Sequence, residues 1–146
     1  MKIKIILFSL LLAVNIGFAQ KKKDPKSIID RDVSISKYHS LDDLQSMKKG
    51  ELLVLYRERI QSIVKILPYI AFATKPGVTM STLGIPDNND NKKTLVKQHK
   101  ASDEFLENTL DFQSVILPYS DTDKLIAAIL FYEETLKSLH EYNDFN

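Results

Sequence analysis

Two stretches of the chain carry apolar side chains at alternating steps of three and four residues. The first stretch contains Leu53, Tyr56, Ile60, Ile63, Leu67 and Ile70. The second contains Leu125, Ile129, Tyr132, Leu136 and Leu139. This spacing lines one face of an α-helix, whereas a β-strand alternates at every second residue. The two stretches therefore predict two helices whose apolar faces pack against other helices.

Two further helices complete the predicted fold. A third helix is expected from about Lys92 to Ile116, with a stripe of Leu95, Leu106, Leu110 and Leu117 and with Phe105, Phe112 and Ile116 beside it. A short leading helix is expected over residues 41–49, because Ser40 is a suitable N-cap before Asp42 and Asp43. Four glycines in 146 residues are too few for the turns of a sandwich or barrel. We predict an all-α fold, a small antiparallel bundle of three long helices and one short helix.

Proline and glycine mark the predicted breaks between helices. Pro68 should kink the second helix, and Lys75-Pro76-Gly77 should end it. Residues 75–91 form a long connection whose apolar first half should dock on the bundle, while Asp87 to Asn91 should be exposed. Pro118 should end the third helix, and the polar run from Ser120 to Asp123 should cap the fourth.

Residues 1–19 have the layout of a secretory signal peptide. Lys2 and Lys4 precede an apolar stretch, and Gly17 and Ala19 supply the small side chains needed for a cut after Ala19. The apolar run is shorter than the roughly 20 residues that cross a bilayer. The alternative is an uncleaved membrane anchor, because the lysines at 21–23 oppose translocation. We expect an exported protein, periplasmic or secreted, with membrane contact through this segment only if it stays uncleaved.

The predicted domains are the signal peptide at 1–19, a flexible basic linker at 20–40 and a helical bundle at 41–146. Residues 20–37 hold six basic and three acidic side chains, whereas residues 38–146 hold twelve basic and sixteen acidic ones. Nucleic-acid binding requires a basic patch on the folded domain itself. We therefore expect no nucleic-acid partner.

The chain lacks the residues of several common chemistries. It has no cysteine, which excludes disulfides, thiolate metal sites and a cysteine nucleophile. The run from Asp87 to Asn91 resembles the start of a calcium loop, but Lys92 and Gln98 stand where such a loop needs glycine and glutamate. Glu133 and Glu134 are expected to be solvated on the outer face of the last helix. We expect no enzyme activity, no metal and no cofactor.

Polar residues interrupt the apolar stripe of the third helix at His99, Ser102 and Gln113. One interpretation is a polar site between helices that would carry a small ligand or a metal. His99 shares a helical face with Asp103 and Glu107, but a single histidine with nearby acids lacks the ligand count of a metal site. We expect His99 to be a partly buried or surface polar residue.

The leading functional hypothesis is an exported, non-catalytic helical module that binds a protein or an envelope component. Its expected contact surface is the long connection with the adjoining helix ends. The candidate residues are Val78, Met80, Leu83 and Ile85 in the connection, and Tyr69 and Tyr119, which each follow a proline at a helix end. The alternative is the ligand or metal carrier described above.

Overall fold

The order of elements along the chain is that of an all-α protein. The structure is a computed structural model that describes residues 26–31, 33, 35 and 37–143. It contains the helices α1 (Leu41–Gln45), α2 (Lys49–Ile66), α3 (Asn89–Ile116) and α4 (Thr122–Asn143), with 3-10 turns at Leu67–Tyr69, Ser81–Leu83 and Leu117–Tyr119. These described residues form no strand, although an isolated bridge joins Ser27 and Thr79. The prediction of a small all-α bundle is confirmed.

The long helices alternate in direction, as expected for an antiparallel bundle. Lys49 at the start of α2 donates hydrogen bonds to the carbonyls of Pro118 and Ser120 at the end of α3, both at 2.7 Å. Near the other end of α2, Lys65 lies 3.2 Å from the carboxylate of Asp103 on α3. α4 returns parallel to α2 and makes the most extensive contact with it. None of the helices in the described part of the chain is both long and apolar enough to cross a membrane.

The buried face of α2 lies one residue away from the predicted seam. Its buried positions are Leu52, Leu55, Arg59, Ser62, Ile63, Ile66 and, in the following turn, Tyr69. Most of the predicted seam is only partly buried, and Leu67 and Ile70 are exposed. The predicted spacing of three and four residues is correct. The buried face was misplaced because two of its members, Arg59 and Ser62, are polar and do not appear in an apolar pattern. On α4 the predicted stripe is confirmed, with Leu125, Ile129 and Leu136 fully buried.

The same tetrapeptide, Ile-Leu-Pro-Tyr, ends both α2 and α3. In each case the α-helix stops at the isoleucine and the next three residues form a 3-10 turn with the proline near its start. Proline has no N–H and crowds the carbonyl four residues earlier, so the α-helix cannot continue through it. The expectation that α2 runs on with a kink to Lys75 is therefore wrong.

The described residues before α1 belong to the core, which corrects the prediction of a flexible linker over this part of residues 20–40; residues 20–25 lie outside the described residues. Ile28, Ile29 and Val33 are buried in one cluster with Ile63, Ile66 and Leu136. The apolar residues of this short segment do not recur at helical spacing, so helical periodicity does not show that they are buried. The predicted signal peptide at 1–19 lies outside the described residues.

The long connection after α2 docks on this segment. Ile28 N–H donates to the carbonyl of Val78 at 2.8 Å, and Gly77 N–H donates to the Ser27 hydroxyl at 2.9 Å. Gly77 has a φ of 100°, a left-handed conformation that favours glycine. The predicted docking of the first half is confirmed, and of the predicted exposed run from Asp87 to Asn91 the first four residues are exposed while Asn91 is half-buried. α3 begins at Asn89, earlier than predicted, because the Asn88 side chain caps it by accepting from Asn91 N–H at 2.8 Å.

Candidate protein-binding surface

The outer face of α3 exposes large apolar side chains in a regular row. We define this face by Ala101, Phe105, Phe112 and Val115. Successive members are four, seven and three residues apart, so they lie on one side of the helix. Phe105 is 57% exposed, Phe112 is 64% exposed and Val115 is 67% exposed. The buried residues of the same helix, Leu95, His99 and Leu106, point to a different side of it. α3 therefore carries two separate faces, of which the outer one is mostly exposed.

An open groove of about 370 Å³ runs beside this face. One wall is the end of α2 and the following turn, and the other is the middle of α3. The lining residues are Ile63, Val64, Leu67 and Pro68 on the first wall, and Gln98, Ala101, Ser102 and Phe105 on the second. The outer face adjoins this groove, because Ala101 and Phe105 belong to both, and the exposed Asn108 lies between Phe105 and Phe112 on the face.

The six residues of the surface predicted from the sequence do not come together. Tyr69 is only 8% exposed and lies in the core. Val78 and Met80 are half-buried and pack against the same core cluster. Leu83 is exposed and Ile85 half-buried near the start of α3, while Tyr119, which is 89% exposed, follows the end of that helix. A helix of 28 residues is about 42 Å long at 1.5 Å per residue, so it separates the loop from Tyr119.

The predicted polar site is brought together in part. His99 and Ser102 line a cavity of about 10 Å³ with Tyr69, Asp30, Lys65 and Asp103. His99 is 5% exposed, donates from Nε2 to the carbonyl of Ile28 at 2.8 Å and holds Nδ1 3.3 Å from a carboxylate oxygen of Asp30. It is thus a buried residue of the core, rather than a partly buried or surface one. Gln113 is half-buried three turns farther along α3 and does not line the cavity.

The electrostatics of this cavity are those of a buried polar contact. Burial raises the pKa of the Tyr69 phenol, the carboxylates of Asp30 and Asp103 add to that rise, and Ser102 opposes it. The Tyr69 ring meets the His99 imidazole edge to face, with centroids 5.8 Å apart. A cavity of this size has room for about one water molecule, so it does not fit an organic ligand.

A buried ionic cluster joins α2, α4 and the segment before α1. Arg59 Nε donates to Glu133 Oε1 at 2.8 Å, and Arg59 Nη2 donates to the carbonyl of Lys37 at 2.7 Å. Glu133 also accepts from the backbone N–H of His39 at 2.5 Å and contacts His39 Nδ1 at 2.9 Å. Arg59 is 1% exposed and Glu133 is 2% exposed. The expectation of a solvated Glu133 is therefore wrong.

The carboxylate of Glu133 is held in its charged form. Burial alone would raise its pKa, but the hydrogen bonds from His39 and Arg59 outweigh burial and leave the pKa below its usual value. Both carboxylate oxygens are engaged by fixed donors. The cluster is thus arranged to clamp the segment around His39 onto the bundle.

The positions of Arg59 and Glu133 in the sequence indicate that both side chains are buried. Arg59 continues the buried heptad of Leu52 and Leu55, and Glu133 continues that of Ile126 and Ile129. A cation and an anion at buried positions of two parallel helices are expected to form an ion pair, because an unpaired buried charge is strongly unfavourable. The same reasoning applies to His99 on α3, which stands one turn from the buried Leu95.

The described residues offer no cluster of three or more histidine, aspartate or glutamate side chains that could hold a metal ion. The run from Asp87 to Asp90 is exposed, and Lys92 lies 3.0 Å from Asp87, as an ordinary surface ion pair does. Comparisons of the chain with models of protein families, with curated proteins and with solved structures gave no match.

Proposed function

We propose that this chain is an exported, non-catalytic helical module that binds a protein through the outer face of α3. The observation that supports the proposal is the row formed by Phe105, Phe112 and Val115, each more than half exposed on one face of a long helix. Contiguous exposed apolar surface is typical of interaction sites, and aromatic residues are enriched in protein interfaces.

The energetics favour an occupied surface. Full burial of a large apolar side chain stabilises by about 1.5–3 kcal/mol, and only part of this stabilisation is realised for Phe105 and Phe112, which are more than half exposed in the isolated chain. A partner that covers both rings and fills the adjoining groove would recover it. The buried anchors of a protein interface are commonly aromatic residues that occupy or flank such pockets.

Export is the part of the proposal that rests on residues 1–19. Their positive start, apolar middle and small residues at 17 and 19 are typical of a cleaved signal peptide. Sequencing of the mature amino terminus tests this, with Gln20 expected as the first residue. An amino terminus at Met1 in membrane-associated protein would favour the anchored alternative.

Two observations favour binding over the alternatives. The ionic cluster of Arg59, Glu133 and His39 uses its donors and acceptors to hold the fold together, which is a structural task. The cavity beside His99 is too small for an organic ligand, so a carrier function has no cavity of suitable size there. A binding module needs neither feature.

The test is a comparison of three variants purified by affinity from the native source. Phe105→Glu combined with Phe112→Glu should abolish co-purification of the partner while leaving the helical circular dichroism spectrum unchanged. Val96→Glu is the matched control, because Val96 is 51% exposed on the opposite side of α3. Leu83→Glu tests the long connection instead. Loss of the partner with Leu83→Glu but not with the phenylalanine variant would overturn the assignment to α3.

A further inference from the structure

One flank of the outer face carries a regular row of charged residues, basic in its first half and acidic in its second half. The side chains at successive steps of four and three are Lys93, Lys97, Lys100, Glu104, Glu107 and Asp111. All six are exposed. The first three positions are basic and the last three are acidic, so the sign of the charge reverses once, near residue 102.

This order is self-complementary in one orientation. When two copies of α3 lie antiparallel and cross near residue 102, position 93 of one copy faces position 111 of the other, 97 faces 107, and 100 faces 104. Each of these pairings joins a lysine to an acidic residue. A parallel two-fold pairing would instead place the two charged flanks on opposite sides of the contact, so none of these ion pairs could form. The charge order therefore favours an antiparallel pairing over a parallel one.

The apolar features fit the same arrangement. In the antiparallel pairing, Phe105 of one copy lies opposite residues 98–102 of the other, where the groove opens between α2 and α3. Each copy would thus insert its Phe105 into the groove of the other. Reciprocal contacts of this kind characterise a two-fold symmetric interface, in which the same surface serves both partners.

We propose that the protein bound by the outer face of α3 is a second copy of this chain, packed antiparallel across residue 102. This inference rests on the proposed function, because it names the partner of the same surface. The apolar face supplies affinity, and the charge order supplies orientation. The ion pairs are exposed, so the dimer should weaken as salt is added.

The first test uses the absence of cysteine from the chain, which makes a single introduced cysteine an unambiguous probe. Ala101→Cys places the thiol next to the two-fold axis, and mild oxidation should give a disulfide-linked dimer. Val115→Cys is the matched control, because in the antiparallel dimer the two thiols lie roughly 40 Å apart along the helices, at 1.5 Å per residue. That distance is far beyond the reach of a disulfide. Linkage of Val115→Cys, with or without linkage of Ala101→Cys, would overturn the antiparallel arrangement.

The second test exchanges the charges. Reversal of all three lysines, with Lys93→Glu, Lys97→Glu and Lys100→Glu, gives a uniformly acidic flank. Reversal of all three acids, with Glu104→Lys, Glu107→Lys and Asp111→Lys, gives a uniformly basic one. Each variant alone should be monomeric by light scattering, while an equimolar mixture should form a heterodimer of twice the mass. Dimers of either variant alone that are as stable as those of the unmodified chain would overturn the proposed pairing.

These outcomes separate the inference from the proposed function. An unmodified chain that stays monomeric at high concentration, with no linkage through Ala101→Cys, contradicts self-association. In that case the co-purification test of Phe105 and Phe112 still decides whether the outer face binds a different protein. Circular dichroism of every variant distinguishes loss of association from loss of folding.

Discussion

At the scale of single residues, the chain depends on a carboxylate that its neighbours hold in place. Glu133 bonds to Arg59 on one helix and to His39 in the segment before α1, and both Arg59 and Glu133 are almost fully buried. Removal of one member of such a buried pair leaves the other charge without compensation. Removal of either charged side chain should therefore destabilise the fold.

Glu133→Gln should destabilise the protein by about 3–5 kcal/mol, because Arg59 would remain buried without its anion. The neighbouring Glu134 is exposed and provides the matched control, since Glu134→Gln should change stability by no more than about 0.5 kcal/mol. Urea unfolding followed by circular dichroism measures both. Equal midpoints for the two variants would show that the cluster does not stabilise the fold.

The same carboxylate predicts a pH dependence. The pKa of Glu133 is lower in the folded protein than in the unfolded chain, so the unfolded chain binds a proton more readily. Its contribution is fully present above the unfolded pKa of about 4.3 and is lost as the pH falls through the lower folded value. The stability of the unmodified protein should thus fall more steeply with acid than that of Glu133→Gln. Parallel acid limbs of the two curves would contradict this.

These residues show where sequence reasoning stops. Spacing of apolar side chains identified the helices, but Arg59 and Glu133 are 74 positions apart and carry no motif. The seam of α2 was placed one residue too far along because polar residues were read as solvent-facing. His99 was misjudged for the same reason, since its imidazole reaches a backbone carbonyl in a segment with no predicted structure.

At the scale of elements, α3 is the unusual member of the bundle. Its 28 residues include only three buried ones, and its second apolar row faces outward. The sequence did place Phe105, Phe112 and Ile116 beside the main stripe, but pattern alone could not say which row is covered. That choice is made by the partner helices, whose positions follow from long-range packing.

Replacement by alanine should therefore change the stability of the protein by very different amounts at two adjacent residues of α3. Leu106 is 3% exposed, and Leu106→Ala should cost about 2–5 kcal/mol through lost packing and the cavity left behind. Phe105 is 57% exposed, and Phe105→Ala should change the stability of the monomer by about 0.5 kcal/mol at most. Thermal or urea unfolding at low protein concentration compares them. A larger loss for Phe105→Ala would show that the outer face is covered within the chain.

At the scale of the whole molecule, the helices do not close the core alone. Ile28, Ile29 and Val33 complete a cluster that includes residues from α2, α3 and α4. The fold class was predictable because helical periods repeat along the chain. The boundary of the folded unit was not, because the buried residues of the short segment before α1 do not recur at helical spacing.

Truncation tests this view of the core. A chain that begins at Lys37 should be severely destabilised, because it lacks the three buried side chains, whereas a chain that begins at Lys26 should keep its stability. Ile29→Ala should cost about 2–5 kcal/mol, since Ile29 is fully buried. Unfolding curves of the three proteins provide the measurement. A stable chain starting at Lys37 would restore the linker interpretation.

The hydrogen bond between His39 and Glu133 also bears on the order in which the protein folds. The two residues are separated by 94 positions, so the bond between them closes a loop that contains most of the chain. Such contacts form late, because the entropy of closing a long loop must be overcome first. The segment around His39 can therefore be fixed to the bundle only after α4, which carries Glu133, has been synthesised and has packed against α2.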